Sequence, residues 1–257
     1  MNDVKIIDLT PKNIVDYGVC GYKDVKKHLE LRKKIEWFKE YYPKGLRIKV
    51  VFSQTAGYQG MLEYIPGEYA HRPVAAAGYL FIHCIFVGFK KDFKGKGYAS
   101  TLIDECIKEA KASNILGVAV VTRKGSFMVR KDIFLKKNFQ IVDSAKPDFD
   151  LLAIKFDKKA SDPKFKLNID EQLKKYDKGL TILRSVQCPY TEKNVKAIME
   201  SAQKMQLKVN LIDLKTAKEI QDNPCAFGSF GLIYNGEILS HHPISNTRFE
   251  NIMQKKL

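Results

Sequence analysis

The sequence predicts a two-domain α/β protein. Three observations carry this reading. The 257 residues are 45% hydrophobic, with the apolar residues spread along the whole chain. Strand-like and helix-like patterns interleave in both halves. Between Asp157 and Asp170 the chain turns lysine-rich and polar around Ser161-Asp162-Pro163, as a linker does. Domains commonly hold about 100–200 residues, so the expected division is a first domain over residues 1–158, a linker over 159–170 and a second domain over 171–257.

Each element follows from its periodicity. Val4 to Leu9 reads as a first strand, and Asp24 to Tyr42 as a helical region in which Leu29, Leu31, Ile35 and Phe38 supply the apolar spacing until Pro43 and Gly45 end it. Leu46, Ile48, Val50 and Phe52 alternate with Arg47 and Lys49. Gly60 to Ile65 returns after Ala56-Gly57, which makes an antiparallel pair. Tyr79 to Val87 is a nearly unbroken apolar run, the pattern of a central strand buried on both faces. From Gly97, residues Leu102, Ile103, Cys106, Ile107 and Ala110 recur at helical spacing. Gly117 to Thr122 (strand), Lys131 to Asn138 (short helix), Phe139 to Asp143 and Leu151 to Phe156 (strands) complete a mixed sheet.

In the second half, Gly179 to Val186, Thr191 to Met205 and Leu207 to Leu214 read as strand, helix and strand, an order that implies a right-handed crossover between parallel strands. Asn235-Gly236 between Phe230–Tyr234 and Glu237–Leu239 is a strong hairpin signal, and Thr247 to Lys255 closes the chain as a helix.

Composition narrows the function classes. The formal charge of +15 comes from lysines scattered over the chain, so it reads as a solvated basic surface rather than a nucleic-acid interface. No stretch approaches the ~20 apolar residues of a membrane helix, and the start lacks the pattern of a secretory signal, which points to the cytoplasm. The five cysteines form no CxxC pair, so neither a disulfide framework nor a zinc knuckle is expected. Cys84 and Cys106 sit in apolar contexts suited to inert core thiols. His241 and His242 are adjacent, and neighbouring side chains on a strand point apart, so no metal site is expected.

The segment Lys94-Gly95-Lys96-Gly97-Tyr98-Ala99-Ser100 carries the chemistry. A buried strand that ends in a glycine-bearing turn opening a helix aims several N–H groups and the positive helix end at one point, where a phosphate fits. Gly95, Gly97 and the small Ala99 admit a close approach, and Lys94 and Lys96 add charge. The spacing matches neither a Rossmann fingerprint nor a P-loop. It does resemble the pyrophosphate loop of GNAT acetyltransferases, with Lys94 in the place of that loop's leading Gln or Arg, Gly97 in its glycine position and Ala99 in its closing small position. Phe134 to Val142 is similar to that family's closing segment, and the resemblance covers about the first 158 residues.

The resemblance implies a sheet with a splayed centre. It implies that acetyl-CoA enters between the central strand and the strand at Gly117 to Thr122, with its diphosphate on the amides of Gly95 to Ser100. N–H groups near Phe86, Val87, Gly88 and Phe89 would polarise the acetyl carbonyl. An amine of a small molecule or peptide would then attack directly, which needs a general base; Glu63 and His83 are the candidates. Ser126 is a candidate to reach the thiol, because the family's usual tyrosine acid is replaced here by Phe134.

Cys188-Pro189-Tyr190-Thr191 lies between a strand and a helix start, where the helix end favours a thiolate. It resembles a glutaredoxin site with its second cysteine replaced by Thr191, and the following order resembles thioredoxin-like domains, without the proline expected near Gly228. Dithiol chemistry is therefore excluded, while single-thiol chemistry at Cys188 is retained. The pairing of both halves resembles the YoaP-type acetyltransferases. Two other readings stand beside acetyl transfer: acyl-CoA binding without turnover, and a Cys188-dependent redox or metalloid-handling protein.

Overall fold

Strands and helices follow one another in the order β1 (Val4–Asp8), α1 (Ile14–Tyr17), α2 (Leu29–Tyr41), β2 (Arg47–Ser53), β3 (Gly57–Pro66), β4 (Val74–Ala75), β5 (Tyr79–Val87), α3 (Tyr98–Ala112), β6 (Gly117–Arg123), α4 (Asp132–Leu135), β7 (Gln140–Ala145), β8 (Phe149–Lys155) and β9 (Lys164–Phe165). They continue with α5 (Ile169–Leu173), β10 (Leu180–Arg184), α6 (Tyr190–Lys204), β11 (Val209–Asp213), α7 (Ala217–Gln221), β12 (Phe230–Tyr234), β13 (Glu237–Ser240) and α8 (Asn246–Met253). This computed structural model describes residues 3–22, 24–166 and 168–257. The chain divides into two units, one of Met1–Ala70 with Ala75–Phe165 and one of His71–Val74 with Lys166–Leu257.

In the first unit seven strands form one mixed sheet in the order β1-β2-β3-β5-β6-β8-β7. Every ladder is antiparallel except β5–β6, which is parallel and joins only Tyr79–Ile82 to Gly117–Val120. β5 and β6 therefore separate beyond Ile82 and Val120. On one face of the sheet the apolar stripe of α3 (Leu102, Ile103, Cys106, Ala110) packs with Leu62, Tyr64, Ile82, Val118, Val120 and Leu152. The opposite face meets α2, whose Leu31, Ile35, Trp37 and Phe38 are buried.

Among the described residues three bulges interrupt this sheet, one at Val142 in β7 and two on the strands around β5. Between Tyr64↔Ile82 and Glu63↔Cys84 β5 carries one extra residue, His83. Between Val51↔Gly60 and Phe52↔Tyr58 β3 carries an extra Gln59. Such an insertion breaks the ladder and re-aims a side chain.

The helix expected from Asp24 begins only at Leu29. The Asp24 carboxylate accepts the N–H groups of Lys26 (2.9 Å) and Lys27 (3.2 Å), which holds those residues in a turn. The segment expected as helix to Asn138 stops at Leu135, and Asn138 takes a left-handed φ of +64°. Cys84, expected in the core, is half-buried because it lies past the point where β5 leaves β6. Cys106 is buried, and burial pushes its thiol pKa up.

In the second unit the strand order is β11-β10-β12-β13, with β10 and β11 parallel across α6 and the other two ladders antiparallel. Leu183, Leu214, Ile220, Cys225 and Ile233 form its core. α7 was not read from periodicity, being five residues long, yet Thr216 and Glu219 form a complete capping box at its start.

Candidate functional site

The turn from β5 into α3 begins at Gly88, whose φ is +88°; a Cβ there would lie 2.4 Å from Lys94 Cγ. Gln59 fixes this turn. Its backbone oxygen accepts the N–H groups of Gly88 (2.9 Å) and Phe89 (3.2 Å), and its side-chain oxygen accepts that of Lys90 (3.3 Å). Beyond it, Lys94 to Gly97 are exposed. Gly95 (φ +69°) and Gly97 (φ +83°) are left-handed, and a Cβ on either would meet no protein atom within 4 Å. Among the described residues, none of the six amides from Gly95 to Ser100 donates to a protein acceptor; the first that does is Thr101, to Gly97 O at 3.0 Å. Six unclaimed donors at the positive end of a 15-residue helix, beside two lysines, fit a diphosphate.

The amides expected to polarise a carbonyl divide. Those of Gly88 and Phe89 are already committed to Gln59, so they are not available to a ligand. Phe86 and Phe89 instead present side chains that are 47% and 51% exposed, with ring centroids 6.5 Å apart, an apolar wall at the mouth of the splay.

Where β5 leaves β6, the bulge points His83 toward α2. Its Nδ1 lies 3.1 Å from Glu63 Oε1, and the other Glu63 oxygen accepts from Lys34 Nζ. All three side chains are wholly enclosed. Trp37 lies 4.1 Å below Lys34 Nζ, centroid to atom, and both Trp37 and Phe81 stand against the His83 ring. Burial alone would raise the Glu63 pKa, but the Lys34 charge, with the His83 contact, overrides it and holds the carboxyl at about 2. Sequence reasoning named Glu63 and His83 as separate candidates, and the structure brings them together; it missed Lys34, which is flanked in sequence by an ordinary charged run.

Ser126 lies on an exposed turn after β6, where its carbonyl accepts from Arg123 Nη1 at 3.4 Å. Phe134 is fully buried against Phe139, inside the core rather than in the cleft. A cavity of about 500 Å³ opens beside the splayed end of β6, lined by five lysine or arginine and three aspartate side chains. Arg123 grips Asp148 through two contacts of 3.1 Å, Lys131 meets Asp150 at 2.8 Å and Arg130 meets Asp132 at 3.6 Å. Lys124 and Lys146 form no ion pair among the described residues, so the wall is left net positive.

In the second unit Cys188 is half-buried just before α6, and its carbonyl accepts both N (3.2 Å) and Oγ1 (2.7 Å) of Thr191. Thr191, in the place of a second cysteine, thus donates its hydroxyl to the Cys188 carbonyl and caps no helix N–H group. Cys225 is wholly buried, and burial raises its thiol pKa. Gly228 (φ +79°) lies where a Cβ would fall 2.7 Å from His71 O, and Arg72 of the same unit donates to Gln187 Oε1 at 3.2 Å. Among the described residues no group of three or more His, Cys, Asp or Glu could hold a metal ion, and no helix is long and apolar enough to cross a membrane.

Comparison with known proteins gives three kinds of likeness. A family model described as YoaP-like matches residues 209–251. The chain is 27% identical over 250 residues to the "Uncharacterized N-acetyltransferase YoaP" of Bacillus subtilis (strain 168), covering 96% of this chain and 97% of that protein. Among solved structures it is similar to an N-acetyltransferase from Staphylococcus aureus Mu50 (17% identity, 60% of this chain and 99% of that one, TM-score 0.43). It is also similar to the PaiA N-acetyltransferase of Thermoplasma acidophilum, solved in complex with coenzyme A (14%, 60% and 99%, TM-score 0.41).

Proposed function

We propose that this chain is a GNAT-type N-acetyltransferase that moves an acetyl group from acetyl-CoA to an amine. The observation that carries the reading is the set of six unclaimed amides at the start of α3; the near-full-length likeness to a protein named as an N-acetyltransferase supports it. Gly95, Lys96, Gly97, Tyr98, Ala99 and Ser100 hold the diphosphate of coenzyme A, Lys94 and Lys96 add charge, and Phe86 and Phe89 cover the apolar arm. When bound, acetyl-CoA supplies an activated acetyl thioester.

The remaining work falls to residues of the cleft. Glu63, ionised at about 2, is far too weak a base at neutral pH. An ionised carboxylate only accepts, so the contacting Nδ1 of His83 carries the hydrogen. Of the two candidates, His83 has the intrinsic pKa suited to the base's role: as the amine nitrogen bonds to the acetyl carbon and the carbon–sulfur bond breaks, the base takes the amine's proton. A thiol with an ordinary pKa of about 8.5 leaves as thiolate near neutral pH with modest help, which makes the loss of a tyrosine at Phe134 tolerable. The net-positive wall beside β6 suits an acceptor amine that also carries a carboxylate or phosphate. The second unit is read as thioredoxin-like from its strand order, with Cys188 outside the acetyl-transfer step.

The test combines coenzyme A titration with a thiol-release screen of amines matched with and without a carboxylate. Gly97→Val puts a side chain into space the protein leaves empty, so coenzyme A affinity should fall at least tenfold. The left-handed strain of roughly 1–2 kcal/mol should cost only a few degrees of melting temperature. Unchanged affinity in a folded variant refutes the reading, and absence of any release across the screen refutes turnover.

A further inference from the structure

The charges around the cavity beside β6 are sorted rather than scattered. Arg123, at the end of β6, is 9% exposed. Its Nε and Nη2 each meet Asp148 of the β7–β8 turn at 3.1 Å, its Nη1 donates to Ser126 O, and its plane lies over the Phe149 ring. Gly125 leaves it room, since a Cβ there would fall 3.1 Å from the guanidinium carbon. A two-point fork between arginine and a carboxylate is geometrically specific. It ties together the two segments that carry Lys124, next to Arg123, and Lys146, two residues before Asp148.

The carboxylates of the lining already have their cations. Asp148 takes Arg123, Asp132 takes Arg130, and Asp150 takes Lys131 on one oxygen and Ser144 Oγ on the other at 3.2 Å. Lys124 and Lys146, both exposed, meet no carboxylate among the described residues, so two ammonium groups are left over on one concave surface. Such a surface concentrates anions. Thr122 and Arg123, which line it, lie just past Val120, the last residue of β6 paired with β5, so the cavity opens at the splay.

We infer that Lys124 and Lys146 are specificity-determining residues that hold an oxyanion of the acceptor, carboxylate or phosphate, so that this chain selects anionic or zwitterionic amines and rejects polyamines. This deepens the acetyl-transfer reading and rests on it for the bound molecule's being the acceptor, though not for the anion site itself. Selection against polyamines follows from the same charges, which repel a second ammonium group.

The test is thiol release by the full chain with ω-amino acids of increasing length and the matching ω-aminoalkyl phosphates. Each is run against the plain alkylamine and the α,ω-diamine of the same length. At the length that spans the site, the oxyanion should raise kcat/KM over the alkylamine by roughly fivefold or more, as two exposed charge contacts allow. A preference in either series supports the inference, and the stronger series identifies the anion. The ratio should fall toward one in Lys124→Ser with Lys146→Ser, and it should shrink with added salt. Lys124→Glu with Lys146→Glu should invert it in favour of the diamine, which a general loosening of the cavity would not do.

Coenzyme A titration reports whether each variant is folded, and the single substitutions read the same change at smaller size if a double variant is not. Equal rates for all three kinds of amine, or a preference that both pairs of substitutions leave in place, overturn the inference. If no amine releases thiol, the acetyl-transfer reading fails on its own. Titration with inorganic phosphate and with acetate, followed by NMR on the amides of Lys124 and Lys146, then decides the anion site: saturable shifts that the serine pair abolishes support it, and their absence overturns it.

Discussion

Glu63 keeps its charge with no access to water, and that has a thermodynamic consequence. Its carboxyl ionises at about 2 in the folded chain against an ordinary 4.5. A depressed folded value means that the stabilisation is fully present above pH ~4.5 and is lost as pH falls through about 2. Thermal melts between those limits should show a steep loss of stability that Glu63→Gln removes. At pH 7 that variant should itself be less stable by about 3–5 kcal/mol, because it removes the carboxylate that the buried Lys34 ammonium contacts.

Individual residues were unevenly legible. Glu63 and His83 were singled out as candidate bases, and the structure brings the two into contact in an enclosed site, while the glycines of the loop drew attention to Gly95 and Gly97. Lys34 was invisible because Arg32-Lys33-Lys34 reads as a solvated run; only the α2 rotation set by Leu31, Ile35 and Phe38 turns the last of the three inward.

At the scale of elements, the bulges at Gln59 and His83 aim the site. Gln59 interrupts β3 so that its backbone oxygen holds the turn at Gly88 and Phe89 while its side chain ties Lys90 to the hairpin at Ala56 and Gly57. Gln59→Ala removes the side-chain ties and leaves the backbone ones. A net loss of about 0.5–1.5 kcal/mol per hydrogen bond is expected, read as a several-fold weaker coenzyme A affinity with the sheet intact by circular dichroism.

No periodicity discloses a bulge, since one extra residue reverses alternation by a single step. The same limit hid the late start of α2, where the Asp24 side chain outcompetes the helix, and the five-residue α7, signalled only by its Thr216–Glu219 box. Tyr79–Val87, long and apolar, was legible to the residue.

For the whole molecule, each unit carries its own core, one around Leu62, Ile82 and Leu152 and one around Leu183, Ile220 and Ile233. Calorimetry should therefore resolve two unfolding transitions. Coenzyme A at 100 times its Kd should stabilise one of them by about 2.7 kcal/mol and leave the other in place; a shift of both would show that the ligand reads both units. The division of the chain falls between Phe165 and Lys166, and the inclusion of His71–Val74 in the second unit carried no sequence signal.

The loop before α3 also gives the protein a built-in gauge of its own occupancy. Amide hydrogens that no acceptor holds trade readily for solvent deuterium, and engaged ones trade slowly. Six adjacent positions, Gly95 to Ser100, should gain mass quickly in the empty protein and stall together once phosphate oxygens engage them, so one short peptic fragment would report in minutes what fraction of the molecules is loaded.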